Sequence, residues 1–382
     1  MSIIVNEIKK IFNLKMVLML IVINLLMYFL FIEFWIKYFP NGRPETDIYR
    51  ISVEMKKNYG EYVDEEEFKD FKIKYEEKIR EADEYIQSEE RFIKADIKNY
   101  EQFKNIDRKI KSQSDLRDYT VFKESIDLFW ELPTTKWMIQ SYESKKEDLL
   151  RQYRGTTSEA KFRIEDVYSK NEQTSIMPYI VLENYNNLIK GLIMTILLSV
   201  MFMISPIYLR DSKNKVKHIQ YTCRRGRKMF KSKIYAGLIG TFIINTLQLM
   251  IFFMLYHHNK VNMFFNSNIN SFLNSRIIFW YDLTFIQYII LTVILIYILV
   301  FIFTLISMFV SSVVNNYIAL IGIQLPIAIV TFNLIIEKLI IYFVSIALPK
   351  MIVPLCFLIA IILITAITVV RWKKERVVDV TN

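Results

Sequence analysis

Six stretches of this chain are apolar for about the twenty residues that a bilayer requires, and nothing else limits the fold as strongly. They run from Met16 to about Tyr38, Leu188 to Leu209, Ile234 to Tyr256, Leu283 to Val310, Tyr317 to Ile336 and Met351 to Val370. In hydrocarbon every backbone N–H and C=O must pair within its own segment or in a closed barrel, so runs of this length are helices. The 382-residue chain is 53% hydrophobic, with a mean hydropathy of +0.24, yet 23% of it is charged. Long apolar runs and a charged soluble part therefore share one chain, which excludes an ordinary soluble globular protein. The expected class is an all-α polytopic membrane protein with six spans.

Charge sets the expected orientation. The stretch from Arg210 to Lys233 holds ten Lys and Arg residues and one acid, Asp211. A short, strongly basic loop between two spans is retained in the cytoplasm. Lys9, Lys10 and Lys15 before the first span fall on the same side, as do Arg371, Lys373, Lys374 and Arg376 after the last. Both termini are then cytoplasmic, in the plasma membrane of what the Ile, Lys and Asn richness suggests is a bacterium. The net charge of +10 lies largely in loops beside spans. It reads as topology and attraction to anionic lipid, not as nucleic-acid binding.

Residues 1–15 have Ile4, Ile8, Ile11 and Phe12 on one face, with Asn6, Glu7, Lys9, Lys10 and Asn13 on the other. This predicts an amphipathic interfacial helix. Residues 16–38 are the first span, closed by the aromatic belt Phe34, Trp35, Tyr38 and Phe39. Residues 39–184 form a long insert, expected outside and helical. From Asp64 to Ser112 the apolar spacing predicts one long helix or a helical hairpin. A second helical part, Val121 to Tyr153, is expected to be interrupted at Pro133 and to pack through Phe122, Phe129, Trp130 and Trp137. Glu65, Glu66 and Glu67 are adjacent and do not share a helix face, so they read as a solvated first turn and not as metal ligands. Residues 185–370 hold the other five spans, with a further external loop at His257–Asp282. A short interfacial or re-entrant helix is expected from Leu339 to Leu348, after Glu337 and Lys338 interrupt the fifth span. Residues 371–382 form the cytoplasmic tail.

Several chemistries are missing from the text of the chain. No pair of its eight glycines makes a Walker A loop, and there is no HExxH, GxSxG or CxxC. Cys223 and Cys356 are the only cysteines. No enzyme, bound metal or cofactor is expected. The spans carry almost no ionisable residue at mid-depth, where coupling ions are usually held. If the chain transports, its energy must come from elsewhere. Thr241, Asn245 and Gln248 recur on one face of the third span, and Gln324 and Asn333 lie in the fifth. They are either interhelical hydrogen-bonding groups or the lining of a substrate path.

The order of parts resembles the membrane subunit of bacterial ABC exporters of the ABC-2 type: interfacial helix, span, large insert, span, basic loop and four more spans. The text IYLRDSKNKVKHIQYTCRRGRKMFKSKIYAGLIG carries the local likeness. Asp211 stands where the family commonly has Glu. Arg224, Arg225 and Arg227 stand at a basic turn that here lacks the common Pro, and Lys233 with Ile234 enters the third span. The resemblance implies that loop 210–233 holds a coupling helix that docks on a separate cytoplasmic ATPase, which binds the ATP and Mg. Val216, Ile219 and Tyr221 would fill an apolar pocket there, Lys213, Lys217 and Arg224 would pair with acids at its rim, and Asp211, Arg225 and Arg227 belong to the same docking loop. It also implies a homodimer, or a pseudo-dimer with a second permease, and export of a hydrophobic or amphipathic cargo such as a peptide, an antimicrobial or a lipid-like molecule. Two other classes remain open: a peptide-sensing or resistance module signalling to a partner kinase, and a non-transporting membrane scaffold.

Overall fold

In the computed structural model, the structure describes residues 2–153, 157–214, 229–274 and 277–377. Among these residues there are helices and turns but no strand, only two isolated bridges. Six helices are long and apolar enough to cross a membrane. We number them span 1 (Leu14–Lys37), span 2 (Tyr179–Lys213), span 3 (Met229–Asn259), span 4 (Phe285–Val313), span 5 (Tyr317–Ile341) and span 6 (Ile352–Glu375). The chain divides into two compact units. The first is Met1–Phe39, Asn184–Asn262 and Gln287–Asn382; the second is Pro40–Glu183 with Met263–Ile286.

The first unit contains the spans. Apolar side chains stand exposed along them: Leu18, Ile21, Val22 and Leu25 on span 1, Met250, Ile251 and Met254 on span 3, Ile318, Ile321 and Leu325 on span 5. In water such surfaces would be an aggregation liability, whereas lipid covers them at no cost. Two spans depart from α-geometry. In span 1, Tyr28–Ile32 forms a π-turn, in which the Glu33 N–H reaches back five residues to the Tyr28 carbonyl. In span 5, Pro326 lies inside the helix and Thr331–Ile341 is π-helical.

Span 5 corrects an expectation. Glu337 and Lys338 do not end it, because Lys190 of span 2 pairs with Glu337 at 2.6 Å and neutralises the carboxylate. The helix continues to Ile341, and residues 342–351 are turns, not the predicted short helix. Val344 and Ile346 are buried, Phe343 stacks on Tyr288 of span 4, and the Tyr288 hydroxyl donates to the Ile341 carbonyl at 3.1 Å. Span 2 likewise begins at Tyr179, nine residues before the predicted Leu188, and bends at Pro206 before a last turn at Ile207–Lys213.

The second unit is a helical domain assembled from two separated pieces of chain. Its main helices are Glu45–Tyr59, Glu65–Ser88, Leu128–Gln152 and Ser158–Ser169. Asp64 caps Glu65–Ser88 reciprocally with Glu67, so the Glu65–Glu67 triplet is a capped first turn. Two predictions are corrected here. The apolar period from Asp64 to Ser112 is one 24-residue helix followed by short helices at Glu90–Lys94, Tyr100–Lys104 and Lys111–Asp118. Pro133 does not interrupt the second part. It is the sixth residue of Leu128–Gln152, and the helix runs through it unbroken. Phe129 and Leu132 join Ala82, Ile86, Phe92 and Phe103 in one apolar cluster, and Met138 and Ile139 join Met55, Phe68 and Phe71 in another.

The segment 263–286 completes this domain and is not a separate loop, as the sequence suggested. Ile269, Phe272, Leu273, Ile278 and Phe279 are buried. Three buried basic side chains of the long piece terminate on it. Lys56 donates to Ser267 Oγ at 2.6 Å and also pairs with Glu61. Lys145 donates to the carbonyls of Asn270 and Ser271. Arg163 donates through Nε to the Phe279 carbonyl at 3.0 Å, while its other nitrogens grip both oxygens of Glu172 at 2.9 and 2.6 Å. Glu172 in turn accepts from Asn270 Nδ2 at 2.8 Å. A bidentate guanidinium–carboxylate pair satisfies both charges in a low-dielectric setting.

Two outcomes are expected. Arg163→Ala leaves Glu172 buried without its counter-charge and should destabilise this domain by about 3–5 kcal/mol, read as a lower denaturation midpoint. Burial pushes the Lys145 ammonium down to about 7 from its ordinary 10.5. Between those values the unfolded chain holds a proton that the folded domain has released, so stability should rise with pH across that window. Thermal melts of Lys145→Met across the same range should lack this component of the slope.

Candidate functional site

The site residues singled out in the sequence fall into three groups. Val216, Lys217, Ile219, Tyr221, Arg224, Arg225 and Arg227 lie outside the described residues. Asp211 and Lys213 are described, and they stand in different settings. Lys213 is exposed, with its ammonium 4.7 Å from the centre of the Tyr317 ring. Asp211 is only 6% exposed.

Asp211 belongs to a buried clamp at the base of the basic loop. Its Oδ2 lies 2.6 Å from Nζ of Lys233, the fifth residue of span 3. Lys233 also donates to the Ile207 carbonyl at 2.9 Å and stands over the Tyr208 ring. The Tyr208 hydroxyl crosses back to the Phe230 carbonyl at 2.9 Å. The N-terminal helix, Ser2–Ile11, closes the clamp: Lys10 lies 3.6 Å from Asp211 Oδ1 and 2.6 Å from Glu7 Oε1, and Arg210 donates to the Lys10 carbonyl at 2.7 Å. Two carboxylates and two ammoniums thus offset one another where an unpaired charge would be strongly destabilising.

Glu7 is a second departure from expectation. It had been placed on the polar face, yet it is buried, on the same stripe as Ile11. The spacing Ile4, Glu7, Ile8, Ile11 was the available signal, since i, i+3, i+4 and i+7 share one helical face. The helix packs on span 3, where Ile11 and Phe12 lie close to Gly240. At the same end of the unit, Arg371 of span 6 holds the Ser312 carbonyl of span 4 at 2.6 Å and Glu375 at 2.5 Å.

The five residues offered as a path do not converge on one. Thr241 bonds Thr304 of span 4 at 2.9 Å. Gln324 is buried, accepting from Ser205 of span 2 at 2.8 Å and donating to the Ser307 carbonyl at 3.2 Å. Asn333 is exposed and bonds back to Ile329 in its own helix. These three contacts tie helices together or close upon themselves. Asn245 is fully buried, with neither amide atom hydrogen-bonded.

Gln248 borders a cavity. A groove of about 530 Å3 runs between spans 1 and 3 over a floor supplied partly by span 2. Ile32, Leu192, Thr195, Ile244, Gln248 and Phe252 are its buried members, and Ile21, Leu25, Leu247 and Ile251 form half-exposed rims. The Gln248 Nε2 donates to Asn24 Oδ1 at 2.5 Å and to Ser199 Oγ at 2.7 Å. Ser199 and Thr195 spend their own hydroxyl protons on carbonyls four residues back, at 2.7 and 2.8 Å. Ser199 Oγ accepts from Asn24 Nδ2 at 3.4 Å as well as from the Gln248 amide. The Gln248 Oε1 is left buried and unpaired. The π-turn of span 1 contributes Tyr28 and Ile32 to the same groove. It is admitted there by Gly191 of span 2: a β-carbon at that position would sit 3.0 Å from the Phe31 carbonyl oxygen. The sequence signalled Gln248 by its place on a polar stripe, but Asn24 and Ser199 stood alone in apolar text and were missed.

No ligand-like cluster of His, Cys, Asp or Glu occurs among the described residues. Comparison with models of known families, with curated proteins and with solved structures gave no match to this chain.

The clamp gives a testable stability pattern. Lys233→Met leaves Asp211 buried with only the more distant Lys10, and a loss of about 3–5 kcal/mol is expected. Combining it with Asp211→Asn should recover much of that loss, because both charges are then gone. Thermal unfolding of the four proteins in detergent measures the coupling; strictly additive losses would show that the pair does not act as a unit.

Proposed function

We propose that the chain is the membrane-spanning subunit of an ABC-2-type exporter in a bacterial plasma membrane, energised by a separate cytoplasmic ATPase that docks on loop 210–233. Six spans are accompanied by no Walker A text and no mid-depth coupling charge, so the energy for transport has to enter from outside the chain. The observation that supports this point of entry is the buried clamp. Asp211 and Lys233, at the two ends of the loop, are locked to each other and to the N-terminal helix. A push on the loop therefore acts on spans 2 and 3 together and does not dissipate in a slack connection. Packed elements of this kind switch between discrete arrangements instead of deforming continuously.

In this reading the domain of residues 40–183 and 263–286 is extracellular. The subunit works as a homodimer or beside a second permease, and ATP and Mg reside on the partner. The cargo is hydrophobic or amphipathic, in keeping with spans whose polar groups are few and mostly engaged with one another.

The reading is tested by co-expression with an ATPase encoded beside the gene. Arg224→Glu combined with Arg225→Glu should lower co-purification at least tenfold and abolish stimulation of ATP hydrolysis, while the variant remains folded in detergent. Undiminished co-purification and hydrolysis would remove the loop from this role.

A further inference from the structure

We propose that the junction between the start of span 3 and the end of span 6 binds one anionic phospholipid, held through its phosphate by Lys231 between two aromatic rings. The inference rests on the orientation read from charge only in calling the leaflet cytoplasmic; the binding itself requires no ATPase.

Three side chains from two spans make the site. The Lys231 ammonium lies 5.6 Å from the centre of the Tyr235 ring, one turn along span 3, and 5.7 Å from that of Trp372 on span 6. Ring faces attract a cation at these distances, so the ammonium has a defined place at the junction. Register turns it outward. Lys233 reaches into the clamp with Asp211, and at 3.6 residues per turn a residue two positions away lies about 200° round the helix. Lys231 is accordingly exposed, Tyr235 is exposed and Trp372 is half-buried.

The charge at this junction is unspent. Among the described residues no acid pairs with Lys231, nor with Lys373 and Lys374, which follow Trp372 and are both exposed. Glu375 is buried and already held by Arg371, and Asp211 by Lys233. The Lys231 ammonium therefore keeps three N–H donors, and the Tyr235 hydroxyl, bonded to nothing among the described residues, adds a fourth. Phosphate oxygens suit these donors, because a charge-assisted hydrogen bond is about twice as strong as a neutral one. The surrounding sign chooses between headgroups. A zwitterionic headgroup carries its own ammonium, which finds no free carboxylate here and is repelled by Lys373 and Lys374. A headgroup of net negative charge meets only opposite charge.

The surface beyond Lys231 makes the ligand a lipid. Tyr235, Ile239 and Phe242 recur at i, i+4 and i+7, so they share one face of span 3, and they are 45%, 42% and 50% exposed. Val369, one turn before Trp372 on span 6, is exposed as well. From Lys231 to Phe242 the helix advances about 17 Å at 1.5 Å per residue, close to half of a hydrocarbon core of about 30 Å. A headgroup at Lys231 thus lays its acyl chains along this face for the depth of its own leaflet. Free phosphate or an acidic protein segment would engage the ammonium and leave the apolar face uncovered. Juxtamembrane Lys and Arg attract anionic lipid diffusely; the two rings and the apolar face below them make this a discrete site. Occupied, it ties span 3 to span 6 on the face turned away from the clamp.

The experiment is native mass spectrometry of the full chain in detergent, titrated with dioleoyl phosphatidylglycerol or dioleoyl phosphatidylcholine, which share their tails. The first phosphatidylglycerol should bind about tenfold more tightly, the effect of one hydrogen bond to a charged group. Lys231→Gln should bring it to the phosphatidylcholine value, and Lys231→Arg should retain most of the preference. Trp372→Leu should weaken phosphatidylglycerol by about threefold, the effect of one cation–π contact. Lys9→Gln removes an exposed cation of the N-terminal helix and should change neither lipid. Equal affinity of the unmodified chain for the two lipids would overturn the inference. So would equal losses in Lys9→Gln and Lys231→Gln, which would show an attraction spread over the whole basic rim. Displacement of phosphatidylglycerol by millimolar glycerol 1-phosphate would also overturn it, since the headgroup alone would then suffice. Because no ATPase is present, loss of the lipid preference leaves the export reading standing, and loss of ATPase docking leaves the lipid site standing.

Discussion

The Asp211–Lys233 ion pair is the contact on which the membrane part of the molecule turns. It joins the end of span 2 to the start of span 3 through a separation of 2.6 Å, with both side chains almost wholly removed from solvent. Isolated, either charge would be intolerable at that depth. Together, and with Glu7 and Lys10 of the N-terminal helix beside them, they are satisfied. The pair also imposes register. Span 3 cannot slide along span 2 by one turn without separating the ammonium from its carboxylate and from the Ile207 carbonyl. An apolar contact at this place would tolerate such slippage, whereas a directional ionic one does not.

The same constraint, that polar groups in an apolar medium must find one another, organises the rest of the spans. Thr241 finds Thr304, Gln324 finds Ser205, and Gln248 finds Asn24 and Ser199. Each pairing connects different helices, so the sparse polar residues act as rivets between surfaces that otherwise have little preference for each other over lipid. Gln248 differs by one atom: its carbonyl oxygen is buried without a hydrogen-bond partner.

Much of this was legible in the residues before any coordinates. The spans, their number and the helical character of the insert follow from length and periodicity, which are local properties. The π-helical end of span 5 was not legible. Whether Glu337 stops a helix depends on Lys190, nearly 150 residues away in the chain. The same holds for Glu7, whose place on the buried stripe makes sense only once Asp211 and Lys233 are nearby. Pro133 lies in the second turn of a helix that continues through it, an outcome that local propensity does not indicate. The groove was invisible because it belongs to no single element; Asn24, Thr195 and Gln248 come from three spans. The basic loop was the most conspicuous text in the chain. What the structure adds to it is the manner in which its two ends are fastened.

The helical domain outside the spans is closed by residues 263–286, and this has a bearing on how the protein is made. Residues 40–183 emerge from the ribosome first, and the segment that receives Lys56, Lys145 and Arg163 follows roughly 80 residues later. At ordinary synthesis speeds of about 5–20 residues per second, that is a delay on the order of 4–16 seconds. During that interval one apolar cluster lacks Phe272 and Leu273, and three basic side chains lack the carbonyls and hydroxyl that they bond. The domain therefore has an obligatory waiting state whose length is set by translation. A nascent chain that stalls within the third span leaves behind an unfinished domain with sticky, charged interiors, a natural substrate for the quality-control machinery of whichever compartment receives it.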